Sequence, residues 1–244
     1  MSLNEIIQSI NSYQQHFYLS EQSPCPYFDD RAERQFFTIL DNNTMHDCLD
    51  ALNQAGFRRS QTIMYRPACP HCTACIPIRI DVAQFQWRTR WRRIIKKNAD
   101  LTLHKGTCFA SEQARKLFTH YLEKRHQNSI MADDPNISLE LTLVECPKTT
   151  KLWQFSNSDR DLMAAVIVDD FSDGLSAVYS FFAPEQPRRS LGSYIILSLI
   201  EQAAIHDLPY VYLGYWIKDH PKMDYKKQFQ PLQYLASTGW KTLR

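Results

Sequence analysis

Cys69, Cys72 and Cys75 are spaced so that their sulfurs converge from one tight turn. Cys25, held in a stiff extended segment between Pro24 and Pro26, is the candidate fourth thiolate, with His71 as an alternative. Such a set suits zinc or an iron–sulfur cluster; the plainer alternative is cysteines that only pack. Ile76–Val82 then alternates like a short strand. Arg88, Arg90, Arg92, Arg93, Lys96 and Lys97 follow within one helical length, with Trp87 and Trp91 between them. A thiol turn followed by a basic helix points to RNA.

The net charge of +2 conceals segregation. Arg79–Lys97 holds seven basic residues and one acid, Asp81, a net of +6, whereas Met131–Asp173 has three basic and nine acidic residues, a net of −6. Charge this uneven is the footprint of a polyanion site, and the basic run has no interleaved acids to form i,i+4 pairs. Two further signals follow. Arg188 and Arg189 precede Gly192 and Ser193 at an expected helix N-terminus, where exposed N–H groups favour a phosphate. Leu213–Ile217 leads to Lys222, Tyr225, Lys226 and Phe229, aromatics beside lysines that either stack a base or form a core edge.

The elements that must position these residues are a mixture of helices and strands. Helical spacing covers Asn4–Phe17 and Thr44–Gln54, the latter stopped by Gly56, and Asp30–Phe37 reads as a strand or short helix. Phe57–Tyr65 and Ile76–Val82 read as strands flanking the cysteine turn, Trp87–Asn98 as the basic helix and Leu101–Phe109 as a strand. Ser111 caps a helix to about His126, and Asn128–Pro135 is an acidic loop. Leu152–Phe155, Leu162–Val168 and Leu175–Phe182 form a meander turning at Asp169–Gly174. A helix to His206 and a strand at Tyr210–Trp216 complete a crossover.

Length and apolar content fit one large or two small globular domains, and six glycines leave little room for flexible linkers. No basic-then-apolar N-terminal signal is present, and Leu191–Ile200 is too short to span a bilayer. The expectation is a cytoplasmic protein with no membrane partner, whose seven cysteines are reduced.

Several blocks in one order resemble the arginyl-tRNA protein transferase family, and the likeness covers nearly the whole chain. They are Pro24-Cys25-x-Tyr27; Tyr65-Arg66-Pro67 with Cys69, Cys72, Ala74 and Cys75; Arg79; Asn98-Ala99-Asp100-Leu101; Gly174–Tyr179; Ser190-Leu191-Gly192; and Tyr212–Ile217 with Lys222-Met223-x-Tyr225-Lys226. The compact length is similar to the bacterial aspartate/glutamate leucyltransferase branch. One departure is Ala183, where the bacterial pattern carries Asp. The resemblance implies an α+β fold, an N-terminal cysteine-containing region (1–100) packed on a GNAT-like mixed sheet with flanking helices (101–244). It implies transfer of leucine from leucyl-tRNA to the N-terminal amine of proteins beginning with Asp or Glu, marking them for N-end rule degradation. Zinc or an iron–sulfur cluster on Cys25, Cys69, Cys72 and Cys75 is the expected cofactor, and no nucleotide cofactor is expected.

Chemistry and motif match then sort the residues. Tyr179, Ser180, Tyr215 and Tyr225 are candidates to donate to the oxyanion or relay a proton. Arg79, Lys222 and Lys226 are candidate partners of the substrate carboxylate, with Trp216 beside them. Arg88, Arg90, Arg92, Arg93, Lys96, Lys97, Arg188, Arg189, Gly192 and Ser193 are the expected tRNA contacts. Two alternatives stay open: arginyl transfer, for which the acids Asp133 and Asp134 would suit the donor, and a non-catalytic RNA-binding or metal-sensing protein.

Overall fold

The computed structural model describes residues 15–40, 46–107, 109–125, 139 and 149–243. The expected helix at Asn4–Phe17, for all but its last three residues, and the acidic loop Asn128–Pro135 with Asp133 and Asp134 lie outside the described residues. The described chain forms two compact units that interleave in sequence. The first runs to Gln86 and includes Phe171–Gly174 and the chain from Pro209; the second holds Trp87–Asp170 and Leu175–Leu208. The expectation from sequence was a single division at residue 100. The units interleave because strands from the C-terminal end fold with a strand that precedes the basic helix.

The first unit opens with β1 (Tyr18–Leu19), β2 (Ser23–Pro24), β3 (Ala32–Glu33), β4 (Gln35–Ile39), α1 (His46–Gln54), β5 (Arg58–Ser60), β6 (Ile63–Pro67) and β7 (Ile76–Asp81). A sheet forms in the order β1-β4-β6-β5. Phe57–Tyr65, which reads as one strand, is instead the hairpin β5–β6, turned at Gln61 with φ 51°. Gly56 ends α1 as its sequence position predicts: φ is +82°, and the N–H groups of Gly56 and Phe57 reach the carbonyls of Asn53 and Leu52 at 3.0 Å each. The helix buries Cys48, Leu49 and Leu52 against Phe57, Met64 and Phe171.

The second unit contains α2 (Thr89–Lys97), β8 (Thr102–Gly106), α3 (Glu112–Arg125), β9 (Thr150–Ser156), β10 (Leu162–Phe171), β11 (Gly174–Phe182) and α4 (Leu191–Ile205), its strands ordered β8-β9-β10-β11. Ser111 caps α3, its hydroxyl accepting from the Ala114 N–H at 3.2 Å. Leu162–Val168 is buried at every position, the pattern of a strand covered on both faces. Leu152, Ala165, Ile167, Val178 and Phe181 meet Ala114 and Phe118 of α3 in a common core. The strongly apolar α4 is buried along most of its length, as an all-round hydrophobic helix must be.

The chain then returns to the first unit with β12 (Tyr210–Trp216), β13 (Leu232–Ala236) and β14 (Gly239–Leu243). Both β12 and β13 pair antiparallel with β7, and β14 with β13. The register of β12 on β7 shifts between Tyr212, opposite Arg79, and Tyr215, opposite Pro77. Gly214 sits in that bulge with φ +66°, and a Cβ there would stand 2.0 Å from Arg58 Nη1. Only glycine fits both the conformation and the guanidinium.

Candidate functional site

The basic helix forms where the sequence places it, with Trp91 as its one buried residue. Its composition works against helix stability. Arg88 with Arg92, Arg92 with Lys96, and Arg93 with Lys97 are like charges four residues apart, and each such pair costs about 0.2–0.5 kcal/mol. The first turn holds no acid to offset the helix dipole. Arg92, Arg93 and Lys96 are exposed, and their side chains have no ion pair or hydrogen bond among the described residues. A surface that keeps unpaired like charge at a cost to its own helix is built for an external polyanion. The Arg90 guanidinium lies over the Trp91 ring at 3.7 Å, and Lys97 Nζ donates to the Arg188 carbonyl at 3.2 Å.

Arg189 turns out to be a clasp. Its Nε donates to Asn98 Oδ1 at 2.9 Å and its Nη2 pairs with Asp100, while Asn98 Nδ2 donates to the carbonyls of Ile94 and Arg189 at 2.9 Å each. Asn98 is fully buried, so the Asn98-Ala99-Asp100 block ties the end of α2 to the entrance of α4. The sequence expects Arg189 on a phosphate; the fold has already committed its guanidinium. Arg188 remains exposed. Gly192 answers to packing, since a Cβ there would meet the Phe182 ring at 3.1 Å. Ser193 is half-buried on the first turn of α4.

Among the candidate hydroxyls, Tyr179 is distinctive. It packs against Phe118 on the α3 side, with ring centroids 5.9 Å apart, and its buried hydroxyl has no partner among the described residues. Burial, with Tyr121 nearby, pushes its ionisation well up, so the phenol stays protonated and able to donate. Ser180 follows on β11 and faces the opposite side of the strand, so the two do not serve one centre.

In the first unit Tyr215 is committed. Its hydroxyl lies 3.0 Å from the Gly56 carbonyl and 2.9 Å from that of Tyr65, and burial raises its ionisation. Lys226 is likewise tied: it is 5% exposed, and Nζ donates to the carbonyls of Leu213 at 2.9 Å and Tyr215 at 2.6 Å. These carbonyls flank Gly214, and the lysine satisfies acceptors that the bulge frees from the ladder. Burial and the nearby Arg58 depress its ionisation. Lys222 and Tyr225 are exposed. Trp216 is buried, and its indole N–H, His220 Nδ1 and Asp224 Oδ1 are buried polar atoms without partners among the described residues.

Arg79 is the largest departure from the sequence expectation. It is 7% exposed, with its guanidinium 3.4 Å from the Tyr210 ring centre and 4.3 Å from that of Trp240. Nε donates to Gln233 Oε1 at 2.8 Å, Nη1 to Tyr212 Oη at 3.1 Å, and Nη1 stands 4.0 Å from Asp173 Oδ2. That oxygen also accepts from Tyr212 at 2.7 Å and Gln54 at 3.2 Å. Burial raises the Asp173 carboxyl even so. A cation this enclosed, 7% exposed and engaged by these internal partners, holds β7, β12, β13 and the Ser172–Asp173 turn together.

The four cysteines of the expected thiolate set are each half-buried. Cys25, Cys69 and Cys72 each act on the Cys75 thiol, which burial pushes up to about 12. Cys72 moves the other way, lowered by the Ala74 backbone N–H and by Arg31, whose Nη1 lies 3.2 Å from its sulfur. His220 steadies the loop carrying Cys25, with Nε2 3.2 Å from the Tyr27 carbonyl and its ring against Tyr27 and Phe28. His71 is exposed. Among the described residues no set of three or more His, Cys, Asp or Glu side chains is arranged to hold a metal ion, so the zinc or iron–sulfur expectation finds no ligand geometry there. Arg31, Asp173, Gln233 and the Asn98–Arg189 clasp were not singled out as interacting groups from sequence; only the adjacency of Asn98 and Asp100 to the basic run hints at the last.

Two family models match the chain: "Arginine-tRNA-protein transferase, N terminus" over residues 23–93 and "Arginine-tRNA-protein transferase, C terminus" over 113–236. A relative named aspartate/glutamate leucyltransferase, from Maricaulis maris (strain MCS10), is 43% identical over 224 residues, covering 92% of this chain and 88% of its own. One of the same name from Parvibaculum lavamentivorans is 42% identical over 225 residues, covering 92% and 93%. Solved structures overlap more loosely: L-PGS from Bacillus licheniformis reaches a TM-score of 0.49 at 8% identity, over 69% of this chain and 58% of that one.

Proposed function

Since the chain belongs to the arginine-tRNA-protein transferase family, we propose that it moves leucine from leucyl-tRNA to the α-amine of proteins that begin with Asp or Glu. The family gives the reaction class, aminoacyl transfer from tRNA to protein. The leucyltransferase names of relatives at 43% and 42% identity support the donor and the acidic acceptors. The structural observation that carries the tRNA half is the exposed, unpaired Arg92, Arg93 and Lys96 on a helix those charges destabilise.

The chemistry asks little of a base. An α-amine has a pKa of about 7.7–8.0, so a substantial neutral fraction exists near pH 7. Its nitrogen attacks the ester carbonyl carbon, the C–N bond forms, the C–O bond to the tRNA ribose breaks, and the proton lost by nitrogen ends on the ribose oxygen. Orientation and oxyanion stabilisation supply the rate without an acyl-enzyme. Tyr179 is the favoured oxyanion donor because its phenol is protonated and uncommitted. With Arg79 and Lys226 tied internally, the exposed Lys222 is the remaining candidate for the substrate carboxylate. The products enter N-end rule degradation in the cytoplasm. No helix among the described residues is long and apolar enough to cross a membrane.

Radiolabelled leucyl- and arginyl-tRNA presented in parallel to a peptide with N-terminal Asp test the donor. Label from leucyl-tRNA alone is expected. Label from arginyl-tRNA would keep the reaction and reverse the donor; none from either, with tRNA still bound, would leave an RNA-binding protein.

A further inference from the structure

Beside α2 the second unit has an open cleft of about 290 Å³ lined by Trp87, Arg92, Ile95, Lys96 and Glu201. Arg92, Ile95 and Lys96 share one helix face through their three- and four-residue spacing, and Glu201 comes from α4, which packs against α2. The half-buried Trp87 offers an indole surface, Arg92 and Lys96 are exposed cations with no internal partner, and an ionised Glu201 is an acceptor only. A surface meant for phosphate alone gains nothing from the indole and is opposed by the carboxylate. Glu201 among these cations therefore selects a ligand that brings a hydrogen-bond donor as well as negative charge.

We propose that this cleft takes one unpaired nucleotide of the tRNA whose base carries an exocyclic amine, so cytosine, adenine or guanine rather than uracil. The base stacks on Trp87, the adjoining phosphates meet Arg92 and Lys96, and the amine donates to Glu201. The inference rests on tRNA being the substrate. A paired base has its faces and its Watson–Crick edge occupied within the helix, so only an unpaired one offers both to a protein. Uracil places a carbonyl oxygen where cytosine has the amine, setting an acceptor against the carboxylate.

Oligocytidine, oligoadenosine and oligouridine of equal length, end-labelled with a fluorophore and titrated into the full chain, give the test by anisotropy. The cytosine and adenine oligomers are expected to bind roughly tenfold more tightly than the uracil oligomer. Trp87→Ala should weaken all three roughly tenfold. Glu201→Gln, a change at an exposed position, should leave binding intact and erase the preference, because an amide both donates and accepts. Equal affinity for the three oligomers, or a preference that survives Glu201→Gln, overturns the proposal. The transfer assay is independent of this one: leucine transfer without base preference rejects the cleft and keeps the enzyme, whereas base preference without transfer does the reverse.

Discussion

Arg79→Ala separates a structural cation from a substrate-binding one. In the fold the guanidinium is 7% exposed, lies against Tyr210 and Trp240, and holds Gln233, Tyr212 and Asp173. Removing one partner of a buried pair costs about 3–5 kcal/mol, because the other charge is left uncompensated. The lower end applies here: the Asp173 side chain keeps 19% exposure, its contact with Arg79 is a loose 4.0 Å, and Tyr212 and Gln54 still donate to it. A loss of about 3 kcal/mol in a chain of this size lowers Tm by about 6–12 °C. Arg79→Lys should recover only part of this, since an ammonium keeps the charge but lacks the planar fork that stacks and bridges. Thermal unfolding followed by circular dichroism measures the shift. KM for an Asp-initiated peptide is measured alongside, at a temperature where the variant is folded, and should change little. A variant as stable as the parent with a KM raised severalfold would refute the structural role and return Arg79 to the substrate carboxylate.

Three further outcomes follow from the same geometry. Arg92→Ala with Arg93→Ala should flatten the salt dependence of tRNA binding by about 1.4–1.8 in the slope of log K against log[salt], whereas Arg189→Gln should lower stability and leave that slope in place; filter binding across a salt series checks both. Asp173 has its carboxyl raised by burial, so the folded state holds its proton more tightly than the unfolded chain. That contribution to stability is full below about pH 4 and is lost as pH rises through the folded value. Urea midpoints of Asp173→Asn should accordingly gain on those of the parent between acid and neutral pH. Tyr179→Phe removes an uncommitted buried hydroxyl and should lower kcat about 10²-fold or more if that group serves the oxyanion, with tRNA affinity unchanged; unchanged kcat would reassign it to packing.

Signals carried by neighbouring residues were legible in the sequence. Ser111 at the start of α3, Gly56 after α1, the turn before Gly174 and the basic helix all depend on contacts within a few residues, and each stands where its local chemistry puts it. Arg79 looked like an available cation because its partners are remote: Tyr212 is 133 residues away and Gln233 is 154. Lys226 has the same side chain as the exposed Lys222 and Lys227, and its burial depends on a bulge at Gly214 shaped by Arg58. The strands β13 and β14 went unread because their order comes from remote pairing, β13 with β7 and β14 with β13. Cysteine spacing puts Cys69, Cys72 and Cys75 on one short turn, but spacing does not contain the distances and angles that decide whether thiols ligate.

The central claim is tested most directly by mass spectrometry of four peptides identical except at the N-terminus, beginning with Asp, Glu, Ala or acetylated Asp, after incubation with the protein and leucyl-tRNA. The Asp and Glu peptides should each gain one leucine residue, located by fragmentation on the α-amine, while the Ala and acetylated peptides stay unmodified. Leucine on the Ala peptide at the same rate, or on none of the four, would contradict the assignment.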